Sequence, residues 1–172
     1  MPFLVRLIQT LSRICGVIAV VLIALSVAVV CQMVFVRAVL GWSVIWQTDF
    51  VTFSLVAATF IGAPYVLLTR GHVNVELLPL YLGQRARFAL ALVASAAALL
   101  FCLAVLWYAA GWWWEAYSNR WTTDSVWRLE LWIPYLSLPV GMAILSLQYG
   151  ADIYCLATGR DMPFGMLPRH RS

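Results

Sequence analysis

Apolar residues in this chain do not alternate with polar ones; they come in four long continuous blocks. The blocks run from about Ile14 to Leu40, Trp46 to Leu68, Phe88 to Trp114 and Leu131 to Leu156. Each is at least as long as the roughly 20 residues that a helix needs to cross a bilayer's hydrocarbon. A membrane-spanning strand would alternate in polarity, so four transmembrane helices are expected. Ahead of the first block, Phe3, Leu4, Leu7, Ile8 and Leu11 recur at helical spacing, while Arg6, Gln9, Thr10 and Arg13 take the other face. With Pro2 suited to a first turn, this pattern predicts an amphipathic N-terminal helix lying on the membrane surface. The alternative is that these residues simply begin the first span.

Composition agrees with this pattern. Of the 172 residues, 64% are hydrophobic and 10% charged, against about 25% charged in a soluble domain. No soluble core of this size hides so much apolar surface. A single membrane domain over residues 1–172 is expected. Its first block is too long for a signal-peptide core and is read as a retained span.

Charge sets the expected orientation. The net charge of +4 comes from arginine alone. Arg6, Arg13, Arg70, Arg85, Arg87, Arg160, Arg169 and Arg171 would share one side of the membrane. Arg37, Arg120 and Arg128 would lie on the other, among Asp49, Glu115, Asp124 and Glu130. The arginine-rich side is the cytoplasm, so both termini are expected inside. The arginines are not gathered in one basic segment, which argues against nucleic acid as a partner. Every tryptophan falls in the outer half of the chain so oriented. Either an interfacial belt or a docking surface for a periplasmic partner would explain that.

Candidate chemistry is sparse. No acidic residue falls at the middle of a span, where a carrier of ions or acids would place one. His72 and His170 lie outside the spans, so haem ligation is not expected. Cys15, Cys31, Cys102 and Cys155 fall inside spans with no Cys-x-x-Cys, and they read as small apolar residues. No catalytic residue, metal or cofactor is expected. Helix-packing features are plentiful instead: Ser54, Ala58 and Gly62; Ser137 and Gly141; Ser146 and Gly150. Small residues at four-residue spacing let helices approach closely, within the chain or against a partner. Pro64, Pro134 and Pro139 are expected to bend their helices. Gln32 and Gln148 are candidates for bonds between helices.

Two stretches are more specific. Trp46-Gln-Thr-Asp49 opens the second block, which closes with Phe60-Ile-Gly62-Ala63-Pro-Tyr; then come Arg70-Gly71-His72-Val73-Asn74-Val75-Glu76. Ile133-Pro134 through Pro139-Val-Gly141 opens the fourth. Together they resemble the small membrane subunit of tripartite ATP-independent periplasmic (TRAP) transporters, the DctQ-type family, over essentially the whole chain. Asp49 stands where the family more often has Glu, and Glu76 where it more often has Asp. The resemblance implies an accessory subunit, not an enzyme. Its partners would be a large multi-span permease, a periplasmic solute-binding protein and membrane lipids. Uptake would be driven by a sodium gradient, with an organic acid such as a dicarboxylate as substrate. Asp49, Gly62, Arg70, Gly71, His72, Glu76, Pro139 and Gly141 are the candidates for contacts with a subunit or the membrane interface. Residues 70–76 would form an interfacial cytoplasmic segment between the second and third helices. Arg120, Trp121, Asp124, Trp127 and Arg128 are the candidates for docking the binding protein. The alternative reading is a self-sufficient four-helix carrier acting as a homo-oligomer.

Overall fold

The computed structural model describes residues 3–41, 46–69, 84–125 and 128–158. Its helices are α1 (Phe3–Leu40), α2 (Trp46–Leu68), α3 (Gln84–Ser118), the single turn α4 (Trp132–Tyr135) and α5 (Ser137–Ala157). Among the described residues, four helical stretches are long and apolar enough to span a membrane: Val5–Leu40, Trp46–Leu68, Leu92–Ser118 and Trp132–Cys155. The expected all-α, four-span fold is therefore the observed one. Below, the end carrying residues 119–131 is called the loop end, and the opposite one the tail end.

The amphipathic N-terminal segment is not a separate surface element. It forms the first turns of α1, a continuous helix of 38 residues. At 1.5 Å per residue that is about 57 Å, far longer than the roughly 30 Å of hydrocarbon. The expected apolar face does not turn to protein as a unit: Ile8 is buried, but Leu7 and Leu11 are exposed. Val5, Ile8 and Ser12 are buried, while Arg6, Thr10 and Arg13 are exposed.

Packing is sequential and uneven. The α1–α2 interface is the most extensive, followed by α3–α5 and α2–α5. α1 and α3 form no such interface, so α2 and α5 hold the middle of the structure. Small residues explain how the inner helices meet. Ser54, Ala58 and Gly62 are buried along one face of α2, and a Cβ on Gly62 would lie 3.0 Å from the Ala19 Cβ of α1. A Cβ on Gly16 would run into the Tyr65 ring, and one on Gly141 into the Phe60 carbonyl of α2. Gly141 thus brings the backbones of α2 and α5 into direct contact, which no larger residue allows.

The last span is broken. α4 stops at Tyr135, α5 starts at Ser137, and the Ser137 hydroxyl donates to the Pro134 carbonyl at 2.7 Å. Proline removes an amide donor and crowds the carbonyl four residues before it, so the break at Leu136 falls in the turn ahead of Pro139, where the Tyr135 carbonyl loses its helical donor. Pro64, by contrast, lies inside an unbroken α2.

A buried polar chain joins α1 to α5 near the tail end. The Ser12 hydroxyl donates to Gln148 Oε1 at 3.0 Å, and Gln148 Nε2 donates to Asp152 Oδ1 at 3.2 Å. Ser12 and Gln148 are almost fully enclosed. Gln32, the other candidate for such a bond, has an exposed side chain.

Candidate functional site

The most elaborated polar structure lies at the loop end. α3 ends in two backbone bonds that close its last turn: Arg120 N–H to the Tyr117 carbonyl at 3.3 Å, and Trp121 N–H to the Ala116 carbonyl at 3.1 Å. This pairing is a Schellman cap, whose turning residue adopts a left-handed backbone and is usually glycine. Here it is Arg120, with φ 48.

The chain then folds back on itself. Thr122 and Glu130 form an isolated antiparallel bridge. Thr123 N–H donates to the Leu129 carbonyl and Leu131 N–H to the Trp121 carbonyl, both at 2.9 Å. The Thr123 hydroxyl accepts from Leu129 N–H at 3.0 Å and lies 3.0 Å from the Ser125 hydroxyl. Arg128, with φ 44, is the second left-handed residue. Among the described residues these two arginines alone combine a side chain with positive φ.

Aromatic rings anchor this hairpin to the helices. Trp113 Nε1 donates to the Trp132 carbonyl at 3.2 Å, and Trp132 Nε1 donates to Glu130 Oε2. Trp113 stacks on Tyr117, Trp112 on Tyr135, and Tyr117 meets Trp132 edge-on. The tryptophans therefore divide into two sets. Trp113 and Trp132 tie α3 to α4, whereas Trp107 and Trp114 are 79% and 62% exposed.

The sequence-predicted site residues fall into three groups. Arg120, Trp121, Asp124 and Arg128 come together in the hairpin, with all but Trp121 exposed; Trp127 lies outside the described residues. Asp49 opens α2 at the same end, half-buried, and its Oδ2 has no hydrogen-bond partner. Gly62 and Gly141 face other helices of this chain, and Pro139 sits in the first turn of α5. Arg70, Gly71, His72 and Glu76 lie outside the described residues.

Two buried polar residues were not anticipated as sites. Gln47, 2% exposed, has an unpartnered Oε1. Ser12 is the partner of Gln148. Both stand among other polar residues near a span's end, so nothing in the sequence singled them out.

No His, Asp, Glu or Arg occupies residues 14–36, 50–69, 88–114 or 131–151, so the central turns of every span lack these charges. Among the described residues no cluster of three or more potential metal ligands occurs. The free cysteines Cys15, Cys31, Cys102 and Cys155 lie on spans, three of them buried. These features define a four-span integral membrane protein whose polar chemistry is confined to its two ends. Residues 26–159 match the family described as tripartite ATP-independent periplasmic transporters, DctQ component. The chain belongs to that family, which makes it a small membrane component of a transporter. Comparison with curated proteins and with solved structures gives no match.

Proposed function

We propose that this chain is the small subunit of an inner-membrane TRAP transporter, with both termini in the cytoplasm. It braces a large permease and helps a periplasmic solute-binding protein dock at the loop end. The transporter takes up an organic acid, driven by a sodium gradient. The family match over residues 26–159 carries this reading. The helices supply a physical reason for it. A path for an acid or an ion needs charged groups or broken backbone near the midplane. The only break among the described helices, at Leu136, lies near the loop end rather than midway. Both this position and the lack of charge in the central turns support a reading in which the permease carries the substrate and ion sites.

Reconstitution tests the proposal. The purified chain alone in liposomes is expected to give no sodium-driven uptake of an organic acid. Uptake is expected once the large permease and the binding protein are added. Uptake by this chain alone would replace the subunit reading with that of a homo-oligomeric carrier.

A further inference from the structure

We propose that Arg120 and Arg128, one at each corner of the hairpin, are contacts for carboxylates on the surface of the soluble binding protein. This rests on the subunit reading above and names the chemistry of its docking contact.

Backbone geometry is the first support. A left-handed backbone brings a Cβ close to the following carbonyl, and glycine escapes that penalty. Arg120 holds the cap position where glycine is usual, and Arg128 repeats the conformation across the hairpin. Strain of this kind persists where surrounding structure enforces it, and it collects at functional positions. Here the cap bonds fix Arg120, and the Arg128 N–H bond to the Ser125 carbonyl at 3.0 Å closes the second corner.

Side-chain surroundings are the second. Both arginines are exposed, and among the described residues neither guanidinium has an ionic or hydrogen-bonded partner. The nearby Glu130 carboxylate is engaged by Trp132. Neither arginine therefore has an evident task inside the chain. A guanidinium offers a planar fork of donors that fits a carboxylate.

A membrane phosphate would also accept such donors. The hairpin disfavours it: Asp124 and Glu130 are exposed beside the arginines, so residues 119–131 carry two positive and two negative charges. An anionic lipid surface would be repelled by those acids. A protein surface of mixed charge can place its carboxylates only where the arginines stand.

Glycine at both positions separates backbone from charge. In the complete transporter, Arg120→Gly with Arg128→Gly is expected to leave assembly with the permease intact. Its thermal midpoint should be unchanged or raised, because strain is relieved. The concentration of the transporter's own binding protein needed for half-maximal uptake should rise roughly three- to tenfold, as expected for two exposed ion pairs. Arg120→Lys with Arg128→Lys should recover much of that loss.

A lowered thermal midpoint in the glycine variant would make the arginines structural and overturn the proposal. So would unchanged half-maximal uptake. Weaker binding to phosphatidylglycerol vesicles with uptake unaffected would reassign them to lipid. If the unaltered transporter ignores the binding protein altogether, the subunit reading itself fails, a result distinct from these.

Discussion

Gln148 and Gln47 are each no more than 2% exposed, yet only Gln148 has its carbonyl oxygen bonded. The difference gives their substitutions opposite signs. Ser12→Ala would leave Gln148 Oε1 buried and unpaired, and is expected to destabilise the protein by about 1 kcal/mol. Gln47→Leu removes an acceptor that gains nothing, at similar volume, and is expected to be neutral or to stabilise by up to about 1 kcal/mol. Equilibrium unfolding of the purified chain in detergent measures both; a loss above about 1 kcal/mol for Gln47→Leu would show that its oxygen is partnered after all. The sequence marked Gln148 as a candidate for a bond between helices. It did not mark Ser12, because periodicity gives the face a residue occupies but not what stands opposite. Arg120 was likewise illegible as a helix cap, because the composition rule for helix ends looks for glycine or asparagine there.

At the scale of elements, the four spans were legible as long apolar helices. The first and third helices extend past their blocks, because amphipathic turns add to a helix without adding hydropathy. The small-residue pairs show what spacing leaves open. Ser137 with Gly141 and Ser146 with Gly150 are alike in the sequence, yet a Cβ on Gly141 meets the Phe60 carbonyl and one on Gly150 meets nothing within 4 Å. Gly141→Ala is therefore expected to cost about 1–3 kcal/mol through forced separation of α2 and α5. Gly150→Ala should be neutral or gain up to about 1 kcal/mol of helix propensity. Unfolding midpoints of the two variants, compared in the same detergent, check the contrast; equal effects would mean that α2 and α5 can shift apart at no cost.

For the whole molecule, the expected orientation rests on charge rather than on packing. Eight of the eleven arginines lie in the sequence segments before the first block, between the second and third, and after the fourth. A reporter active only in the cytoplasm, fused after Ser172 or near Gln84, is expected to be active. Activity of a periplasm-specific reporter at Ser172 would invert the orientation and remove the hairpin from the side where a binding protein could meet it. The bond between Ser12 and Gln148 has a consequence of another kind, for the order of synthesis. The partners stand 136 residues apart, one near the start of α1 and one in the last helix. A ribosome delivers the α1–α2 pair first, and that interface can form between neighbouring segments. Gln148 brings the amide that is costliest to strip of water, and it reaches the membrane only after the hydroxyl that will bond it is in place. Its second partner, Asp152, follows within four residues. The buried amide of α5 is thus translated after its partner on α1, so its carbonyl oxygen need not wait in lipid for a donor.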